Sequence, residues 1–515
     1  MSALRSIGDR TAVRRAVVAP ATAAHLPVSA TPELEIVAAP HDDWPRQAAE
    51  LRREEGAVFA DLFAIPAPGG TLLTVLFALP ERHGWLALRD LVGHGATYPS
   101  LTEVVPAATW YEREVAETAA IVARGHIGLR ELGLLDADGA LGRLTLAPAP
   151  EGVVDYPLGP VRSGIVESGH YTIRTVGEEI VDLHLQLGYK HRGVERLLAS
   201  VAPALAPRVA ERLSGTDAVA HALAAVQALE ALTGTTISPR AALLRSLFAE
   251  LERLHNHVGF QADLCQATGL SVAQAQFEIL RERLLRLNAR LVGHRYLFGA
   301  VTLGGVADDL DVPELDDARE TVGSVRHALV ETGRLAAASA SHMDRLSTAG
   351  QVSPADAIDL ALTGPVARAS GLDLDARRDH PYAGYASTAV RVPVLDQGDA
   401  AARMQLRLDE ALVSADLAIE WADALAREPE PVEPQTRPGA ARPSAVGLGW
   451  AEGARGTEIH WLETRADGSI ARHRVRSASF ACWQAFARCV PGSNILTDFP
   501  IIEQSFGLSF AGHDR

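Results

Sequence analysis

Glu211-Arg212-Leu213-Ser214-Gly215-Thr216-Asp217-Ala218-Val219-Ala220-His221 decides how the rest of this chain is read. Small and polar residues come first, and the apolar helical pattern begins at Ala218. Asp217 and His221 are four apart, so a helix starting here puts them on one face, a spacing that can serve a metal. A plainer reading makes Asp217 a carboxylate favoured by the positive end of the helix dipole and His221 a packed core residue. Two ligands do not make a metal site. The residues favour the plainer reading for metal and keep a polar or proton-handling role open.

Composition narrows the classes. The chain has 515 residues, too many for one ordinary core. A formal charge of −16 argues against a nucleic-acid partner, because phosphate neutralisation needs clustered Lys and Arg. The three cysteines, Cys265, Cys482 and Cys489, form no Cys-x-x-Cys pair. The chain therefore cannot supply four thiolates to a cluster or a structural zinc. Cys482 and Cys489 could pair, but reduced thiols in a cytosolic setting are expected. No signal peptide is evident behind Arg5, Arg10, Arg14 and Arg15. The apolar run from Thr71 to Leu79 is about half the ~20 residues of a membrane span, so any membrane link is expected through partners.

Along the chain, residues 1–40 are Ala- and Pro-rich and predict a flexible arm. Residues 41–140 predict a small α/β unit, with a helix over 44–55 and a buried strand over 71–79 that Pro80 ends. A Gly-, Pro- and Asp-rich linker is expected from about Asp136 to Pro157, separating that domain from one over 158–515. Strands are expected over 171–176 and 181–187. In the second, Val181, Leu183, Leu185 and Leu187 alternate with Asp182, His184 and Gln186, predicting one apolar and one wet face. From Ala206 the periodicity turns helical: Leu244, Leu247, Phe248, Leu251, Leu254 and Val258 recur at three- and four-residue spacing. Long helices are expected over 272–298, 317–340 and 401–426. The prolines from Pro429 to Pro443 predict a loop, and strands are expected over 457–476 about a turn at Asp467-Gly468. The fold class is α+β.

Several ordered motifs carry a family resemblance. Tyr98-Pro99-Ser100-Leu101-Thr102 with Trp110-Tyr111-Glu112-Arg113-Glu114 resembles the signature of the 30-kilodalton subunit of respiratory complex I. Gly159-Pro160-Val161-Arg162-Ser163-Gly164, Gly188-Tyr189-Lys190-His191-Arg192-Gly193, Thr363-Gly364-Pro365-Val366-Ala367-Arg368, Gly398-Asp399 before Arg403, and Gly453-Ala454-Arg455-Gly456 resemble the 49-kilodalton subunit and the large subunits of group 4 nickel–iron hydrogenases. The fused layout is closest to formate hydrogenlyase-type large subunits. The 211–221 stretch and the C-terminal Ser505-Phe506-Gly507-Leu508-Ser509-Phe510-Ala511-Gly512 resemble the cysteine-bearing segments of those hydrogenases. The four cysteine positions here hold Ser214, Asp217, Ser509 and Gly512.

The resemblance implies a hydrogenase-large-subunit-like domain, mainly helical with peripheral β-sheet, after the small α/β domain. It implies a cavity lined by Glu167, Ser214, Asp217, Arg455 and Ser509. Glu167 matches the proton-relaying glutamate of group 4 hydrogenases, and a carboxylate buried on its loop would be pushed up and could pass protons. Arg455 matches the arginine lying over the metal centre; a surface-turn arginine is its plain alternative. Glu167, Arg455 and Asp217 are the candidate catalytic residues. Val166 and Gly215 stand where complex I subunits carry their quinone-site histidine and tyrosine. No cofactor is expected in this chain; an iron–sulfur cluster is expected in a small partner subunit. Membrane-embedded antiporter-like and quinone-site-like subunits are the other expected partners, at the cytoplasmic face of the membrane.

The set looks like a hydrogenase-related complex without nickel. In nickel enzymes the final segment is often followed by a peptide removed at maturation; here the sequence stops at Arg515, as expected of a site that never receives nickel. The chain end is apolar and is expected to pack inside. His191-Arg192 is expected to fix a loop, His255 to be a satisfied core or subunit-contact histidine, and the 110–114 segment to pack and dock. A non-catalytic coupling subunit is the rival function, and a true hydrogenase ranks third.

Overall fold

A computed structural model of the chain describes residues 33–129, 132, 146–162, 167–427 and 439–513. It divides into two compact units, residues 1–132 and 133–515.

The first unit is built on a four-stranded sheet. Gly70–Leu79 and Gly84–Gly93 are its central strands, Val58–Ala67 pairs antiparallel on one side, and Leu34–Ala38 pairs parallel with Gly84–Gly93 on the other. Leu72, Leu73, Val75, Leu76 and Phe77 are all buried, so the continuous apolar run is covered on both faces. The Trp44–Glu55 helix has Pro45 in its first turn and ends at Gly56 in the left-handed conformation. Leu34–Ala38 corrects the expected arm: its last residues complete the sheet edge. Residues 1–32 lie outside the described residues.

The 110–114 segment packs as expected, within the first unit. It lies on the Ala108–Ala119 helix with Trp110, Tyr111, Glu112 and Glu114 buried. Glu112 accepts hydrogen bonds from Ser100 Oγ at 2.6 Å and Leu101 N at 2.7 Å. The two parts of this signature therefore lock to each other, and the two glutamates are internal.

The second unit opens with an antiparallel sheet of Val154–Leu158, His170–Val176 and Glu179–Gln186. The first strand overrides the expected linker at its C-terminal end; residues 136–145 of that linker lie outside the described residues. A register shift between Arg174 and Thr175 breaks the expected alternation, leaving Val181 exposed and Gln186 buried. The helical body consists chiefly of Pro239–Thr268, Ser271–Val292, Val312–Ala337 and Ala400–Arg427. Ser238 caps the first and an Asp311–Glu314 capping box opens the third. The second stops at Gly293 (φ 75°), short of the expected Phe298. The expected proline loop falls largely on residues 428–438, outside the described residues.

Val446–Gly453, Gly456–Thr464 and Ile470–Arg476 form a second antiparallel sheet, which packs on the Ala218–Thr233 helix. The strand Val446–Gly453 was not expected. Its glycines explain both its position and its poor visibility: a Cβ on Gly447 or Gly449 would stand 2.2 Å from Ala228 O or 2.0 Å from Ala224 O. The helix backbone lies directly against the strand. The Phe499–Phe506 helix and the Phe510–His513 turn are buried at the chain end. Tyr171, Trp483, Phe486, Phe499 and Phe510 hold that end in one aromatic cluster.

Candidate functional site

Asp217 is the residue before the Ala218–Thr233 helix, and Ser214 and Thr216 precede it in a turn. Arg192 fixes the approach by donating to Arg212 O at 2.9 Å and Leu213 O at 2.6 Å, so the Gly-Tyr-Lys-His-Arg-Gly loop has a positioning role. Asn256 Nδ2 donates to Thr216 O at 2.6 Å, and Glu252 accepts from Val219 N at 2.7 Å and Ala220 N at 3.0 Å. Glu252 thus satisfies orphan donors of the helix start from a neighbouring helix. His255 is buried with Nδ1 on Leu251 O at 3.0 Å, the satisfied core histidine expected.

Arg455 sits on the turn between the Val446–Gly453 and Gly456–Thr464 strands. Gly364 backs that turn so closely that a Cβ there would be 2.1 Å from Arg455 O. Arg455 Nη1 is 2.9 Å from Asp217 Oδ2 and also donates to Thr216 Oγ1, while its Nε donates to Gly507 O. It is therefore no loose surface arginine: it ties the first degenerate segment to the last. Ser214 Oγ donates to the same Asp217 oxygen at 3.1 Å. Asp217 Oδ1, buried, has no hydrogen-bond donor among the described residues.

Ser509 Oγ lies 3.0 Å from both carboxylate oxygens of Glu167, and Ala511 N donates to Glu167 at 2.8 Å. Gly512 N donates to Ser509 Oγ at 3.0 Å. Gly169 permits this arrangement, because a Cβ there would meet the Phe510 ring at 1.9 Å. Glu167 is half-buried at this edge. Val166 lies outside the described residues. Arg403 anchors the Phe499–Phe506 helix through Ser505 Oγ at 2.7 Å while holding Gly398 O at 2.6 Å. Arg407 donates to Ala454 O and Phe506 O, both at 3.0 Å.

The electrostatics centre on Asp217. Burial pushes its carboxyl up, but the Arg455 guanidinium, with help from the Ser214 hydroxyl, holds it below the ordinary carboxylate range. Around it, burial and the Asp217 charge raise Glu252 to about 8 and Glu458 well above its usual value. Burial lowers His221 to about 4, so it is neutral at pH 7. Burial, then Arg455, brings Arg407 down to about 9. One ionised carboxylate is thus surrounded by carboxylic acids and a neutral imidazole.

These residues do not fit a nickel–iron centre. Nickel bridged to iron wants soft thiolates. The positions offer two hydroxyls held by carboxylates, a carboxylate held by Arg455, and a glycine. Among the described residues no group of three or more His, Cys, Asp or Glu side chains is arranged to hold a metal ion. Cys265, Cys482 and Cys489 are free thiols.

Some residues of the site were not foreseen in the sequence. Thr216 and Arg407 carry no motif. Glu458 and His460 gave a faint signal as polar residues at alternate positions of an otherwise buried strand.

Comparison with known proteins agrees with this construction. Residues 37–147 match the model described as the respiratory-chain NADH dehydrogenase 30 Kd subunit, 268–446 the 49 Kd subunit, and 192–266 the nickel-dependent hydrogenases. Formate hydrogenlyase subunit 5 of Escherichia coli (strain K12) is 28% identical over 456 residues, covering 84% of this chain and 79% of that protein. An NADH-quinone oxidoreductase subunit of Salinispora arenicola is 33% identical over 318 residues, 61% of this chain and 82% of that one. A chain of an archaeal membrane-bound sulfane sulfur reductase shares the fold at a TM-score of 0.65 and 22% identity, covering 72% of this chain and 100% of its own. With fused 30- and 49-kilodalton-type regions, the chain belongs to the 49-kilodalton family of complex I subunits and is homologous to group 4 hydrogenase-type large subunits.

Proposed function

We propose that this chain is the large, catalytic-type subunit of a membrane-associated complex I-related oxidoreductase that works without a nickel–iron centre. Electrons come from an iron–sulfur cluster in a small partner subunit. Family membership supports this reading, as does the convergence of four elements on Asp217 and Arg455. No helix among the described residues is long and apolar enough to cross a membrane. The reading includes attachment to the cytoplasmic face through membrane-embedded antiporter-like and quinone-site-like subunits, and the similar chain from an archaeal membrane complex supports a membrane link.

The observation that carries the proposal is the state of Asp217: buried, ionised beside Arg455, with Oδ1 free of any donor among the described residues. A buried acceptor without a donor costs about 1–3 kcal/mol, so Oδ1 is open to a donor from outside the chain. Oδ1 can accept a hydrogen bond from a donor on a substrate. Arg455 stabilises negative charge as electrons arrive. Glu167, half-buried and bonded to Ser509, is the candidate to move a proton at its carboxylate.

One observation favours the rival, a subunit that keeps the architecture without chemistry: Ser214, Ser509 and Arg455 all have protein partners. Turnover of the purified complex separates the two. Electron transfer from a low-potential donor to an added acceptor, lost in Glu167→Gln, supports the catalytic reading; a complex that assembles but never turns over supports the rival.

A further inference from the structure

Behind the Asp217–Arg455 pair, three buried histidines touch in series. His221 Nδ1 is 3.1 Å from His460 Nε2, and His460 Nδ1 is 2.8 Å from His473 Nε2. His221 comes from the Ala218–Thr233 helix, and the other two come from adjacent strands. His473 pairs in register with Leu462, so His460 and His473 are diagonal neighbours on one sheet face. All three are at or near zero exposure.

Both links have the same polarity, Nδ1 of one ring facing Nε2 of the next. A neutral imidazole carries one N–H and one bare nitrogen. Head-to-tail order therefore lets every ring donate in the same direction, and equally lets every ring donate in the reverse direction. The two ends are placed differently. His221 Nε2 is 3.5 Å from Glu458 Oε2, next to Asp217. His473 lies beside Glu195, which pairs with the part-exposed Arg472 at 2.6 Å and accepts from Val475 N at 2.9 Å. Neither His221 Nε2 nor His473 Nδ1 has a hydrogen-bond partner among the described residues.

We infer that His221, His460 and His473 form a proton conduit joining the Glu195 edge of the second unit to Glu458 and Asp217, separate from the Glu167 route. The inference rests on the redox-site reading above and adds a proton path to it. A proton arriving at His473 Nδ1 displaces the Nε2 proton to His460 Nδ1. The same exchange passes one proton from His460 Nε2 to His221 Nδ1 and one from His221 Nε2 to an oxygen of the protonated Glu458, which gives up its own proton toward Asp217. One proton enters, one leaves, every ring stays neutral, and no electron moves. The rings then hold their protons on the opposite nitrogens and reset by turning over. A two-electron reduction ending on two protonated atoms draws two protons, and the two routes approach the site from different elements.

The test uses the complex purified with its iron–sulfur partner. His460→Phe keeps a flat aromatic ring and removes both relay nitrogens; turnover is expected to fall about tenfold, equivalent to about 1.4 kcal/mol of barrier, while cluster reduction is unchanged. His460→Ala is expected to regain turnover with added imidazole and not with pyrrole, which fills the same space but has only one nitrogen. Unchanged turnover in His460→Phe, with Glu167→Gln still impaired, overturns the conduit and leaves the redox-site reading standing. Equal rescue by pyrrole also overturns it, because filling the space would then be enough. A wild-type complex without turnover removes the redox-site reading and the conduit with it.

Discussion

Arg455 Nη1 and Asp217 Oδ2 are 2.9 Å apart although 238 positions separate them in the chain. Asp217 is at the start of a buried helix and Arg455 on a strand turn held by Gly364, so neither backbone is free to follow a lost partner. Breaking a buried pair from one side leaves an uncompensated charge. Arg455→Met should therefore destabilise the second unit by roughly 3 kcal/mol. Adding Asp217→Asn should recover part of that loss. Thermal unfolding of the two single variants and the double variant checks this; purely additive losses would show that the pair is not coupled.

Glu112 sets a pH dependence for the first unit. Burial raises its carboxyl from 4.5 to about 7. Between those values the unfolded chain has lost the proton and the folded chain keeps it, so stability falls as pH rises from 4.5 to about 7 and is level on either side. The full effect is at most about 3 kcal/mol. Glu112→Gln keeps an acceptor for Leu101 N and should remove most of this slope. Melting curves at about pH 5 and about pH 7.5, on either side of most of that window, measure it in wild type and variant.

Two glycines should respond oppositely to alanine. At Gly449 a Cβ meets Ala224 O at 2.0 Å, so Gly449→Ala must push the strand off the helix and should cost several kcal/mol, about the scale of core overpacking. At Gly215 a Cβ meets nothing within 4 Å, so Gly215→Ala should stay within about 0.5 kcal/mol. Chemical denaturation of both variants is the comparison.

The purified complex should contain iron attributable to its partner subunit and no stoichiometric nickel. Elemental analysis tests this. One nickel per chain would contradict the donor-set argument at Ser214, Asp217, Ser509 and Gly512.

Legibility in the sequence followed how local the determining physics was. The Trp44–Glu55 helix was readable because Pro45 opens it and apolar residues recur along it. The Gly70–Leu79 strand was readable as an unbroken apolar run. Val446–Gly453 was hidden because Gly447, Gly449 and Gly453 look like loop residues until a helix backbone is known to lie on them. Val154–Leu158 was lost in a linker reading by its prolines and acidic neighbours. The exposed Val181 is skipped in the pairing, because Arg174 and Thr175 face Asp182 and Ile180, and no local pattern encodes that bulge. The two degenerate segments were visible as motifs, and the geometry joins them through Arg455. The aspartate–arginine contact and the His460–His473 contact arise from strand register and a glycine-backed turn, so side-chain spacing alone could not show them.

The central claim is that the Asp217–Arg455 centre handles electrons and protons without nickel. Acceptor reduction by the intact complex, wild type beside Asp217→Asn, tests it most directly. The account predicts nickel-free turnover in the wild type and at least a tenfold loss, about 1.4 kcal/mol of barrier, in the variant at equal assembly and cluster content. Equal rates in the two would contradict it.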